Sequence, residues 1–346
     1  MQKKSLLVIT VVLLASMVLA ACGGAAEEPA ETAIKVCQVT DAGGIDDKSF
    51  NATAWQGVLD AEEMYGVEGM YLESSQQTDY EKNINAFLEE GCDLIVTVGF
   101  LLGDATAAAA EANPEQLFTI VDYAYDPAYD NILGQVFATD QAAFLAGYLA
   151  AGVTETGVVG TFGGIQIPTV TVFMDGFAYG VDYYNEVNGT DVAVLGWDPA
   201  TQEGLFAGNF DSTDDGRRLG ESLMDEGADI IMPVAGPVGA GTAAAAMERG
   251  GVYIIGVDSD WFLTQPNYAS IILSSVLKKM DATTAEAVRQ VIDGEFTGGV
   301  TVGTLENEGV GLAPYHDLET LVSAELQAEI EGLATQIIAG EIQTAP

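Results

Sequence analysis

The chain is poor in positive charge. Eleven lysines and arginines stand against 52 aspartates and glutamates in 346 residues, a formal net charge of −41. A field of that sign repels nucleic acid and anionic lipid, so nucleic acid is excluded as a partner. It also disfavours an anionic ligand such as a nucleotide. Salt screens self-repulsion of this size, which fits a saline medium. Imidazole and thiol are scarce as well: one histidine, His316, and three cysteines. So few ligands make no zinc centre without carboxylate help, and no metal is expected. The chain holds no Gly-x-Ser-x-Gly elbow and no His-Glu-x-x-His pair, so no enzyme is expected. No cofactor is implied. His316, near a helix start, reads as a capping or surface residue. No Pro- or Ser-rich linker divides the chain, and no short internal repeat is visible.

What is present begins with a leader. Lys3 and Lys4 precede an apolar run over residues 6–19, which is too short for a comfortable membrane span. Leu19-Ala20-Ala21-Cys22 then resembles the bacterial lipobox. Residues 1–21 are expected to be a lipoprotein signal peptide. Cys22 is expected to be lipidated on its thiol and amine, palmitate included. Residues 22–33, small and acidic, read as a flexible tether. The membrane would then be met through a lipid anchor only, on the extracytoplasmic face. Cys37 falls in the first strand and Cys92 just before the third; buried free thiols are the favoured expectation, with pairing as the alternative.

Beyond residue 33, short β-rich runs alternate with helical stretches, the pattern of an α/β protein. Runs at 34–39, 67–72, 93–98, 117–121 and 132–137 read as strands of a first half. Runs at 158–162, 192–195, 230–234, 253–257 and 271–276 restart the pattern. Two lobes sharing a hinge are expected. The first would hold residues 34–138 plus about 259–300, and the second residues 139–258 plus about 301–346.

The ends of the strands carry the candidate chemistry, because open α/β sheets bind ligands there. Thr40-Asp41-Ala42-Gly43-Gly44-Ile45-Asp46-Asp47-Lys48-Ser49-Phe50-Asn51 joins the first strand to the first helix. It offers a carboxylate, an amide and an aromatic face; Ser49 or Asp47 is placed to cap the helix. Asp122, Gly236 and Asp258 follow later strands. A lone aspartate after a strand is ordinarily a turn former, but three at equivalent places point to a shared cleft. Ser274-Ser275-Val276-Leu277-Lys278-Lys279-Met280-Asp281 places two lysines after a buried strand. One of them is expected to enter the cleft. Pro168 to Gly180 packs aromatics onto a helix opening, with Phe173 or Met174 as a second apolar wall. Gly236-Pro237-Val238-Gly239-Ala240-Gly241-Thr242 lacks the Walker lysine and reads as a tight turn facing the cleft.

The first of these blocks, with Ala54-Trp55-Gln56-Gly57 after it, resembles the signature of the basic membrane lipoprotein family. These are substrate-binding proteins of ABC transporters, including the purine nucleoside receptors. Phe173-Met174-Asp175-Gly176-Phe177-Ala178-Tyr179-Gly180, Gly256-Val257-Asp258-Ser259-Asp260 and the block from Ser275 to Asp281 are similar to later family blocks, in order. The resemblance implies a type I periplasmic-binding-protein fold: two Rossmann-like lobes with parallel sheets, joined by a multi-strand hinge. It implies a monomer that binds a nucleoside, of the purine class, and delivers it to ABC permease subunits. Asp41, Asn51 and Asp122 would address the base, with Phe50 stacking on it. Asp258 and Lys278 would bind the ribose hydroxyls. The family's bulkier residue near Gly236-Pro237 is missing here, leaving Trp197 or Phe173 as the second stacking wall. A sugar or other small polar ligand on the same fold, or a ligand sensor docking on a signalling partner, are the alternatives.

Overall fold

The computed structural model describes residues 33–345. The leader, Cys22 and all but the last residue of the expected tether lie outside the described residues. The strands of the first lobe are β1 (Lys35–Val39), β2 (Glu68–Leu72), β3 (Leu94–Val98), β4 (Leu117–Val121) and β5 (Ile132–Phe137). Between them run helices α1 (Phe50–Tyr65), α2 (Tyr80–Glu90) and α3 (Gly103–Ala112). The second lobe opens with α4 (Thr139–Val153), β6 (Val158–Gly163), α5 (Pro168–Asn188) and β7 (Ala193–Leu195). A small hairpin, β8 (Trp197–Asp198) and β9 (Glu203–Gly204), precedes α6 (Thr213–Asp225). Then come β10 (Ile230–Val234), α7 (Gly239–Arg249), β11 (Tyr253–Asp258), α8 (Trp261–Thr264) and β12 (Ile272–Lys278). The chain closes with α9 (Met280–Ile292), β13 (Gly299–Gly303), β14 (Val310–Leu312) and α10 (Ala324–Ile338).

Two six-stranded sheets result. The first runs β13-β5-β4-β3-β1-β2 and is parallel throughout. The second runs β14-β12-β11-β10-β6-β7, parallel except where β14 meets β12. The chain passes between lobes three times: from β5 to α4, from β12 to α9, and from β13 to β14. The expected lobe boundaries are therefore corrected. β12 was expected in the first lobe but lies beside β11, with Val257 opposite Val276. β13 lies beside β5 in the first sheet. The reason is local: the link from β11 to β12 holds only short helical turns, yet it suffices to bring an apolar strand back parallel to its neighbour. Once β12 is buried on both faces, the crossing falls after Lys278.

Local chemistry explains several elements. Asp47 caps α1: its carboxylate accepts from the backbone N–H groups of Ser49, Asn51 and Ala52 at 3.0, 2.7 and 3.0 Å. Gly66, at φ 72°, ends the helix in the left-handed region. α4 is apolar on every side because it is buried on every side, and it packs against α5 and α10. Its approach to α5 needs glycine. A Cβ on Gly147 would stand 2.0 Å from the Phe177 carbonyl oxygen, and one on Gly180 would stand 2.0 Å from that of Phe144.

Cys37 and Cys92 form a disulfide, with Cα atoms 6.1 Å apart, so the free-thiol expectation is overturned. β1 and β3 are neighbours, and both cysteines face the same apolar layer beneath α2, which puts the thiols within bonding reach.

The two lobes also repeat one design, at a period too long to show as a short internal repeat. Val98, Gly103, Thr106, Ala107–Ala110, Val121 and Asp122 recur at one constant interval as Val234, Gly239, Thr242, Ala243–Ala246, Val257 and Asp258. In each lobe the strand leads through a 3-10 turn into a helix opening on glycine.

Candidate functional site in the cleft between the lobes

The two sheets direct the C-terminal ends of their strands at one cleft of about 600 Å³, counting its open mouth. Asp41 and Asn51 enter from the β1–α1 segment, Asp122 from the end of β4, Asp258 from the end of β11 and Lys278 from the end of β12. Asp122 and Asp258, equivalent by the repeat, share a left-handed backbone at φ 67° and 68°. Aspartate tolerates that region better than most side chains, and such backbone marks functional sites.

Three carboxylates from strand ends, with Asp47 as a fourth in the lining, thus meet one ammonium. Lys278 Nζ lies 2.6 Å from Asp122 Oδ2, in a pair whose side chains are 2% and 9% exposed. The same ammonium sits 4.7 Å from the centre of the Phe50 ring and 5.9 Å from that of Phe173. Asp258 Oδ2 accepts from Ser49 Oγ at 3.0 Å, and Ser49 also donates to the Val257 carbonyl at 3.1 Å. Asp41 Oδ1 accepts from Asn51 Nδ2 at 2.9 Å, while Asn51 Oδ1 accepts from the Asp41 backbone N–H at 3.2 Å. Asn51 Nδ2 also reaches Asp47 Oδ2 at 3.1 Å.

Burial penalises these charges. It pushes the Asp41 carboxyl up to about 7 against the pull of Asn51, with Asp47, Asp122 and Asp258 adding repulsion. It pushes Asp258 up to about 6, where Lys278 restrains the rise and Asp122 promotes it. Asp47 and Asp122 are raised by burial too, against their backbone and lysine partners respectively.

The other walls are apolar. Phe50, Phe100, Phe173 and Phe210 line the cleft with Ile167 and Val170. Of the site residues expected from sequence, Asp41, Phe50, Asn51, Asp122, Phe173, Gly236, Asp258 and Lys278 come together here. Two do not line it. Ser49 is fully buried behind Asp258 and steers that carboxylate. Met174 is fully buried in the second lobe's core, because adjacent residues of a helix point about 100° apart. Trp197, offered as a second wall, turns its indole inward to donate to Asp175 at 2.9 Å. Phe210, unforeseen, lines the cleft instead. It lies in an irregular segment without periodicity, which gave no signal. Asp47 was foreseen only as a cap, yet it also lines the cleft.

Three comparisons bear on this geometry. A family model described as ABC transporter substrate-binding protein, PnrA-like (Bmp), matches residues 34–345. The chain belongs to this family. Its members bind substrates for ABC transporters and are not enzymes. Among curated relatives, the chain is similar to the ABC transporter nucleoside-binding protein BmpA of Lactococcus lactis, 30% identical over 367 residues and covering 98% of each chain. It is also similar to basic membrane protein A of Borreliella burgdorferi, 32% identical over 339 residues, covering 97% of this chain and 94% of the relative. An ABC transporter solute-binding protein from Aeropyrum pernix superposes with a TM-score of 0.81 at 28% identity, covering 90% of this chain and 92% of its own. The fold is thus that of the periplasmic-binding proteins, with two lobes of mainly parallel sheet. Among the described residues no helix is long and apolar enough to cross a membrane.

Proposed function

We propose that this protein, held by a lipid on Cys22, captures a purine nucleoside between its lobes and delivers it to an ABC permease. The observation that carries the reading is the convergence of Asp41, Asp122, Asp258 and Lys278 on a cleft walled by phenylalanines. Family membership and the printed name of the Lactococcus relative support it.

The strand order suggests how the ligand lies. β4, β11 and β12 stand towards the hinge side of their sheets, and β1 stands away from it. The hinge-side group of Asp122, Asp258 and Lys278 suits ribose. Asp258 accepts hydroxyl protons, and Lys278, anchored by Asp122, has two further protons to donate. Each bond to a charged partner contributes roughly 1.5–3 kcal/mol. The far end, with Asp41 beside Phe50 and Phe100, suits the base, and ring stacking adds on the order of 1–3 kcal/mol. Ser49 acts from behind by orienting Asp258, and Asn51, in the cleft wall, orients Asp41. A neutral ligand escapes the repulsion that an acidic protein imposes on a nucleotide.

Calorimetry on ligand-stripped protein tests this with guanosine, inosine, adenosine, uridine and ribose. Purine nucleosides are expected to bind at micromolar concentration or below, and uridine and ribose more weakly. Absence of heat with all five overturns the reading, and ribose binding as tightly as any nucleoside transfers it to a sugar.

A further inference from the structure

Asp41 has no ion-pair partner, unlike Asp122, and its Oδ2 has no hydrogen-bond partner among the described residues, unlike the oxygens of Asp47, which are taken by backbone N–H groups. Its Oδ1 is tied to Asn51. Its Oδ2 lies against Gly99, where an added Cβ would stand 2.8 Å from that oxygen, so glycine keeps room for it. The residue is 8% exposed and lines the cleft. The charged and titratable groups facing it are Asp47 from its own segment, Tyr80 from α2, Asp122 from β4, Asp258 from β11 and Lys278 from β12. Of these only Lys278 is a cation, and it is committed to Asp122.

Resting on the nucleoside reading above, we infer that Asp41 is a specificity residue whose protonation reverses which purine the cleft prefers. As a carboxylate, Oδ2 only accepts, and it pairs with a ring N1–H, which hypoxanthine and guanine present. As a carboxylic acid, the same oxygen donates, and it pairs with the bare N1 lone pair of adenine. Each wrong pairing sets donor against donor or acceptor against acceptor inside a buried site, which is where unmatched polar groups cost most. The balance is simple. Inosine arriving at the protonated site sends one proton to solvent, and adenosine arriving at the ionised site takes one up.

The reversal falls in an accessible range, since burial and the surrounding carboxylates place Asp41 at about 7. Asp258 also titrates there, at about 6. It faces the ribose in either ligand, so its effect cancels when two nucleosides are compared at one pH.

The experiment is calorimetry with inosine and adenosine from pH 5.5 to 8.5, in buffers of low and high ionisation enthalpy, on the wild type and Asp41→Asn. In the wild type the ratio of inosine to adenosine affinity should rise by up to about tenfold per pH unit. Protons should be released with inosine at the acid end and taken up with adenosine at the alkaline end. Asp41→Asn, which has no proton to exchange, should hold the ratio flat. A constant ratio in the wild type, or a slope that survives in Asp41→Asn, overturns the inference while leaving nucleoside binding in place. Failure of both nucleosides to bind at any pH removes the nucleoside reading and this one together. Should Asp41→Asn not fold, the wild-type proton counts decide the matter alone.

Discussion

At the scale of single residues, the Lys278–Asp122 pair is the point where binding and stability meet. Both side chains are almost fully buried, and the ammonium also faces the rings of Phe50, Phe137 and Phe173. Removing one member of such a pair leaves a bare buried charge, at a cost of about 3–5 kcal/mol. Lys278→Met is therefore expected to lower the denaturant midpoint sharply and to abolish ligand binding. The double variant Lys278→Met with Asp122→Asn should regain most of the stability and none of the binding. A double variant as unstable as the single one would show that the loss lies in packing, not in charge. The same residues show what a sequence displays and what it hides. Asp41, Asp122 and Asp258 were legible because a strand end fixes where its next side chain points. Ser49 and Met174 were not, because each sits one helical step away from the direction that faces the cleft.

At the scale of elements, the segment from Gly196 to Ser212 acts as a strap across the second lobe. Its hairpin is pinned at Asp175, which accepts from Trp197 Nε1 and Gln202 Nε2, each at 2.9 Å. Leu205 and Ala207 bond the backbone of Gly163, and the strap then carries Phe210 to the cleft. Asp175→Ala strands the buried indole N–H at a cost of about 1–3 kcal/mol. It should shift the tryptophan emission and weaken ligand binding several-fold, with the second lobe still folded by circular dichroism. Unchanged affinity would mean that Phe210 is held by its own packing. In the first lobe the Cys37–Cys92 bridge closes a loop spanning 55 residues. Loop-closure entropy for that length gives about 4 kcal/mol, so the Cys37→Ala, Cys92→Ala double variant should unfold at clearly lower denaturant than the oxidised protein. Equal midpoints would show that the bridge constrains nothing in the unfolded chain. Neither the bridge nor the lobe of β12 could be read in advance, since both depend on which strands become neighbours. Local periodicity located β4 and β5 to the residue but is silent about pairing between distant runs. The repeat is legible in principle: Gly103, Thr106 and four alanines recur together, but far apart along the chain, where no short period shows them.

At the scale of the whole molecule, charge sets the response to pH and salt. The folded chain carries a formal −41, and its cleft holds carboxylates whose folded values are raised, Asp41 to about 7 and Asp258 to about 6, from 3.8. Between the unfolded and folded values the native state binds more protons than the unfolded chain. Its stability is therefore fully present below the unfolded value and declines as pH rises through 6 and 7. For Asp41 alone the linkage corresponds to about 2–3 kcal/mol between pH 5 and pH 8. The ligand-free protein is expected to melt several degrees higher at pH 5 than at pH 8 at constant ionic strength. General self-repulsion acts in the same direction, so the two causes need separating. Asp41→Asn removes the Asp41 contribution, keeps that of Asp258 and leaves the surface charge almost unchanged, and it should make the profile shallower between pH 6 and 8. Potassium chloride does the converse. The screening length shortens from about 30 Å at 0.01 M to about 3 Å at 1 M, so salt should raise the pH 8 melting temperature of both proteins alike while leaving the buried cleft term intact. If the wild type and Asp41→Asn keep parallel pH profiles in high salt, Asp41 makes no contribution to the pH response and is ionised in the cleft throughout.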